Sequence, residues 1–256
     1  MSLNYLPNMN INQVKILEEK TNIALLPVGP NEVHGQHLPA ATDVLSAIDL
    51  AERTATKLQN KGMEALIAPP LNYGLADVAN VFDGNTTLRY GTVANLFEDI
   101  CLSLAKWGFN EIVIISGHAE PRNAEAMMEG IRRASEQNEK IKAKLSEWFF
   151  KGLPQVGSIC KGAHPEWDLH AGEIETSFML LKYPELVDME ALSKLEPNWE
   201  GEHLFERLAH GKDNFADAGA PLAYFGDPRI ATKETGEKLQ NFFSDIIVEE
   251  VLELIK

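Results

Sequence analysis

Within twelve residues, Glu32-Val-His34-Gly-Gln-His37-Leu-Pro-Ala-Ala-Thr-Asp43 carries two imidazoles and two carboxylates. Gly29, Pro30, Gly35 and Pro39 break any helix or strand through this stretch, so it reads as a shaped loop presenting Glu32, His34, His37 and Asp43. Imidazole with carboxylate is a ligand set for zinc, manganese or iron. The plainer alternative is a polar surface loop with hydrogen-bonding histidines. A second group is Ser116-Gly-His118-Ala-Glu120-Pro-Arg-Asn123. Its His follows an apolar run directly, and the Gly before it permits a backbone turn that aims the imidazole. Alternatively, that His caps the next helix. The third group is Trp167-Asp-Leu-His170-Ala-Gly-Glu173-Ile-Glu175-Thr-Ser177. With a helix starting near His170, His170 and Glu173 share a face and Glu175 points elsewhere. A charged helix start would explain Asp168 and Glu173 through the macrodipole. It would not explain His170, whose cation is unfavourable at that end.

The elements that must position these groups follow from pattern. Ile23–Val28 is a short apolar run, and Thr42 to about Gln59 carries apolar residues at helical spacing. Glu64–Ala68 is a second strand, stopped by Pro69-Pro70. Leu71–Thr87 is a long loop, and Val93–Trp107 is a helix ended by Gly108. Glu111–Ser116 has four consecutive β-branched residues and is the clearest strand. A helix over Asn123 to about Gln137, a weaker strand over Lys142–Phe149, a helix over His170–Leu181 and a long helix over Thr232–Ile255 complete the pattern. Strands alternating with helices predict an α/β protein with a mostly parallel sheet covered on both faces. Ligands of such folds bind beyond the carboxyl ends of the strands, where the first two groups fall. His164, His203 and His210 read as surface or loop residues without a role.

Composition narrows the function classes. The chain has 256 residues, 38 Asp and Glu against 23 Lys and Arg, and a formal charge of −15. So acidic a surface repels phosphate backbones and anionic lipids, so neither nucleic acid nor membrane is an expected partner. Two cysteines build neither a disulfide framework nor a cysteine-rich zinc site. No apolar stretch is long enough to span a bilayer, and the first residues lack the features of a signal peptide. A cytoplasmic protein forming one domain over 1–256 is expected.

The three groups resemble the creatininase (creatinine amidohydrolase) family. The resemblance rests on Leu26–Pro39 with Thr42-Asp43, on Ser116-Gly-His118 and on His170–Ser177. Phe82–Thr87, Tyr183–Asp188 and Gly226–Pro228 match more weakly. It implies a three-layer α/β/α sandwich around a mainly parallel sheet, two divalent metals, hydrolysis of small non-peptide amides that are often cyclic, and a homo-oligomer, commonly a hexamer. By motif, Glu32 and His118 would ligate one metal and His34 the other, with Asp43 bridging. A further carboxylate comes from the position of Glu120 or of Glu173. Glu173 is favoured because its surrounding string is intact, whereas Pro121-Arg122 departs from the pattern around Glu120.

The resemblance also bears on substrate. Creatinine hydrolases carry Glu immediately before the position of His170, which here is Leu169. Trp148 and Trp167 resemble the two tryptophans lining the creatinine pocket, and His37 is read as a further substrate contact. Zinc is the expected metal, with manganese or iron next. The expected reaction is attack on the amide by a water held between two metals. His170 would shuttle the proton, and Glu120 or Glu175 would orient the water or His170. Two alternatives stay open. One is the same site with other chemistry, such as a formamide deformylase or a peptide-maturation protease. The other is a non-catalytic small-molecule-binding α/β module, which lacks support from any G-x-G-x-x-G or Walker string.

Overall fold

The computed structural model describes residues 3–202, 204–209 and 214–256. In chain order the elements are β1 (Asn4–Tyr5), α1 (Ile11–Glu18), β2 (Ile23–Val28), α2 (Thr42–Asn60), β3 (Leu66–Ile67), α3 (Tyr90–Lys106), β4 (Glu111–Ser116) and α4 (Pro121–Gln137). There follow β5 (Lys142–Leu145), α5 (Trp148–Gly152), α6 (Glu173–Lys182), α7 (Met189–Leu192), α8 (Leu204–Ala209) and α9 (Lys233–Leu254).

All strand pairs are parallel, in the order β1-β3-β2-β4-β5. Every residue of β2 and β4 is buried, as a parallel strand covered on both faces must be. Alternate residues divide between two cores. Ile23, Leu25, Val113 and Ile115 face α2, α6 and α9, while Ala24, Leu26, Ile112 and Ile114 face α3 and α4. The expected three-layer α/β/α sandwich is therefore present. Fully burying side chains such as Leu25, Leu26 and Phe243 contributes about 1.5–3 kcal/mol each.

The topology sets the site. From β2 the chain crosses to β3 on one side, and from β4 it crosses to β5 on the other. β2 and β4 are neighbours paired from Ile23↔Glu111 to Val28↔Ser116, so they end side by side. Their carboxyl ends form the switch point where such sheets open a crevice.

Four expectations are corrected. β5 ends at Leu145 rather than Phe149, and Trp148 starts a short helix. Only Leu66–Ile67 of the 64–68 segment pairs as strand. α6 starts at Glu173, not at His170, because Ala171 is left-handed (φ 50°) and interrupts the helix. The N-terminal β1 and α1 were not expected. The Asn10 side chain accepts from the amides of Asn12 and Gln13 while Gln13 reaches back, a capping box that starts α1.

Candidate active site

Beyond β2, the loop doubles back on itself. The Glu32 amide donates to the Ala40 carbonyl at 3.0 Å and the Leu38 amide to the His34 carbonyl at 3.3 Å. It leads into α2, whose first turn carries Asp43. Two glycines bring that turn against the sheet. A Cβ on Gly29, just after β2, would lie 2.4 Å from the Asp43 Cβ, and one on Gly117, just after β4, would lie 2.1 Å from the Asp43 carbonyl oxygen. Gly117 is absent from the positive-φ residues, so its place before His118 reflects close approach rather than an unusual turn. The Ser116 hydroxyl accepts from the His118 amide and donates to the His118 carbonyl, fixing the turn that aims the ring.

Glu32, His34, Asp43 and His118 converge there. His118 Nδ1 lies 3.0 Å from Glu32 Oε2 and 3.5 Å from Asp43 Oδ2. His34 Nε2 lies 2.9 Å from Asp43 Oδ1 and 3.6 Å from Glu175 Oε2. His170 enters from the segment before α6, its ring centroid 4.3 Å from that of His34 and its Nδ1 3.9 Å from Glu32 Oε2. Glu32 is 0% exposed and Asp43 1%.

These residues fit a pair of cations on the chemistry of their donors. His34 Nδ1–H donates to the Glu32 carbonyl at 3.0 Å, which leaves the Nε2 lone pair facing carboxylate oxygens. His170 Nε2–H donates to the Val33 carbonyl at 2.8 Å, which likewise turns the Nδ1 lone pair inward. Both oxygens of Glu32, Asp43 Oδ2 and His34 Nε2 are buried without a hydrogen-bond partner. Lone pairs facing one another in a buried site call for a cation between them. Three sets have ligand atoms within 4.8 Å of one another: Glu32, Asp43 and His118; His34, Asp43 and Glu175; and Glu32, His34 and His170.

The proton affinities reflect the same crowding. Burial alone would raise Glu32, but His118 and His170 outweigh it and hold the carboxyl at about 2. Burial pushes Asp43 up to about 6 against the pull of His34. Burial would lower His34 and His118, yet the carboxylates around them hold both well above the ordinary imidazole range. Burial and the neighbouring His34 lower His170, and they push His37 down to about 4.

A cavity of about 320 Å³ opens beside the cluster, with Asp43, His118, Glu120, His170 and Glu175 on its floor. Trp148 is in its wall, its indole N–H donating to the Ser116 carbonyl at 2.9 Å. Glu120 also faces the cavity, with Oε2 3.5 Å from His118 Nε2.

Other candidates lie elsewhere. The Glu173 carboxylate accepts the amides of Lys161 and Gly162 at 2.9 Å and is not in the cluster. The cause is the late start of α6: with His170 outside the helix, the spacing that paired it with Glu173 does not apply, and Glu175 faces His34 instead. His37 Nε2 is hydrogen-bonded to the Thr176 hydroxyl at 2.8 Å and ties the loop to α6, outside the cavity lining. Trp167 stacks on His164 with centroids 4.1 Å apart and does not line the cavity. His203 and His210 lie outside the described residues. Phe215 packs on the His170 ring at 4.4 Å and lines the cavity. It stands in a segment without periodicity, so nothing local marked it.

A parallel α/β sandwich with buried imidazoles and carboxylates gathered at its switch point defines the class: an α/β protein with a candidate metal centre. A profile of the creatininase family, described as creatinine amidohydrolase, matches residues 7–251. The creatinine amidohydrolase of Pseudomonas putida is 34% identical over 185 residues, 66% of this chain and 67% of that one. A mycofactocin precursor peptide peptidase of Mycobacterium ulcerans (strain Agy99) is 28% identical over 219 residues, 84% and 78% of the two chains. Among solved structures, a creatinine amidohydrolase (creatininase) superposes with a TM-score of 0.80 at 23% identity, covering 99% of this chain and 98% of that one. A creatininase in manganese form gives 0.78 at 22% identity, covering 98% of each chain. The chain belongs to the creatininase family. It is a hydrolase of the class that acts on carbon–nitrogen bonds other than peptide bonds. Among the described residues no helix is long and apolar enough to cross a membrane.

Proposed function

We propose that this hydrolase cleaves a small amide, cyclic ones such as creatinine included, with two divalent cations at the crevice. The observation that carries this reading is the convergence of buried oxygen and nitrogen atoms of Glu32, His34, Asp43 and His118 that lack hydrogen-bond partners, with the part-buried Glu175 carboxylate beside His34. Glu32, Asp43 and His118 would hold one cation and His34, Asp43 and Glu175 the other, with Asp43 shared. Glu175 thus takes the place first expected of Glu173. Nitrogen and oxygen donors of this kind accept zinc, manganese or iron. When bound, such a pair lowers the pKa of a water toward about 7 and stabilises developing negative charge on the carbonyl oxygen.

The chain's own residues supply the rest. Burial favours the neutral form of His170, and its tautomer is fixed by the Val33 carbonyl. Its Nδ1 is therefore free to take a proton and return it to the leaving nitrogen. Glu120 sits on the cavity floor outside the proposed ligand set and orients the water. We expect His170→Ala to lower kcat by about 10²–10⁴ with metal content unchanged. Stripping metal with a chelator should abolish hydrolysis of an amide panel, and restoring zinc or manganese should return it; full activity without metal would sink the reading.

The coverage shared with the mycofactocin precursor peptide peptidase keeps a peptide amide as a second reading. A panel of creatinine, formamides and short peptides separates the two. The proposal further takes residues 1–256 as one cytoplasmic domain that assembles as a homo-oligomer, in the family's manner a hexamer. A monomer by light scattering would contradict the last part.

A further inference from the structure

The cavity beside the ligand cluster is polar at its floor and hydrocarbon above it. Its upper wall is made by Val78, Trp148, Leu169, Phe178, Leu204 and Phe215. Three polar groups along this wall are turned into the framework, while the Ser46 hydroxyl and the exposed Glu125 carboxylate also line the cavity. The Trp148 indole N–H is spent on the Ser116 carbonyl, the Ser116 hydroxyl on the His118 carbonyl, and the Ser146 hydroxyl on Glu250. Among the described residues no lysine or arginine lines the cavity. A phosphate or carboxylate entering this space would lose its hydration and find no cationic side chain to replace it. An apolar group would lose nothing and would remove both itself and the wall from water. At about 320 Å³ the space is at the small end of ligand pockets, and rings on two sides of it favour an aromatic occupant.

We propose that the substrate carries a neutral apolar group of about the size of an aromatic ring, which fills this chamber while its amide faces the ligand cluster. The inference rests on the hydrolase reading and narrows its substrate class from small amides at large, creatinine among them, to those that carry an apolar ring.

The test uses the metal-loaded protein and two probes that share one amide, phenylacetamide and acetamide. Binding is measured by calorimetry and hydrolysis by ammonia release. Phenylacetamide should bind at least tenfold more tightly and show a correspondingly higher kcat/KM. Leu169, half-buried on the wall, gives the matched variant. Leu169→Asn should weaken phenylacetamide several-fold and remove most of its advantage over acetamide, while Leu169→Met keeps the wild-type preference. Equal affinities, failure of both probes to bind, or no effect of Leu169→Asn would each overturn the inference. So would phenylacetamide affinity that falls as protein concentration rises, since a second copy would then fill the chamber. Preferential binding of phenylacetamide without hydrolysis would leave the apolar selectivity standing and sink the small-amide reading alone.

Discussion

Two regions of this molecule bury carboxylates, and they treat them in opposite ways. Near the end of α9, Glu250 is 1% exposed and fully answered. It accepts from the Ser146 hydroxyl, from the Glu147 amide at 3.2 Å and from Lys151 Nζ at 2.7 Å, with Lys144 Nζ at 3.5 Å. At the carboxyl ends of β2 and β4, Glu32 and Asp43 are as deeply buried, yet their oxygens face the imidazoles of His34, His118 and His170 in place of the lysine, hydroxyl and amide that hold Glu250. A buried charge with its donors in place can be retained as structure, whereas one left without them costs stability that a protein recovers only through a bound cation. The difference separates architecture from chemistry more sharply than burial does. It also bears on the second metal's carboxylate, which the sequence left between Glu120 and Glu173: Glu173 is held by two amides away from the cluster, whereas Glu175, which accepts the Ala171 amide, faces His34.

The largest expected effect tests that assignment. Glu175→Gln should reduce bound metal from two ions per chain to one and lower amide hydrolysis by more than about 100-fold, since even partners outside the ligand shell cost about 10–100-fold. Glu173→Gln should keep both ions and most activity. Elemental analysis with kinetics on the two variants reads both outcomes, and the reverse pattern would move the ligand back to Glu173.

Next comes the answered carboxylate. Glu250→Ala should cost about 2 kcal/mol in urea unfolding by stranding the Ser146 hydroxyl and Lys151, with metal content intact. Burial would raise Glu250, but Lys151 and Ser146 outweigh it and hold its pKa below the ordinary value. Its folded value is thus depressed relative to the unfolded chain, so its stabilisation is complete above the ordinary carboxylate range. That stabilisation is lost as pH falls through the depressed value. Glu250→Gln should flatten this acid limb, and an unchanged limb would show that other groups carry it.

The smallest effect concerns strain. Ala171 holds φ 50° between His170 and α6, a conformation that costs a residue with a Cβ about 1 kcal/mol or more. Ala171→Gly relieves it and adds back some unfolded-state entropy, so stability should rise by no more than about 1 kcal/mol in thermal melts. A clear loss would mean that the Ala171 methyl packs in a way that outweighs its strain.

The division between what sequence shows and what it hides follows the range of the forces involved. β2 and β4 were legible because runs such as Ile112-Val-Ile-Ile115 satisfy a local rule for buried parallel strands. The loop ligands were legible because their types and spacing sit in one continuous string. The start of α6 was not, because it depends on a left-handed alanine and on Asp168, which accepts the amides of Glu173 and Ile174. Neither follows from helical periodicity, so the sequence, which set Glu173 against Glu120 for the second metal, left Glu175 as an orienting residue. Trp148 and Trp167 looked alike in sequence. Only the turn after β5, anchored by Glu250, puts the first in the cavity wall, while the second stacks on His164.

Metal stoichiometry in the wild type and in Asp43→Ala, measured by elemental analysis, tests the central claim most directly. Two divalent ions per chain in the first and fewer than about 0.2 in the second are expected of a ligand shared by both. Retention of both ions by Asp43→Ala, or fewer than about one ion per wild-type chain after purification with metal supplied, would contradict the account.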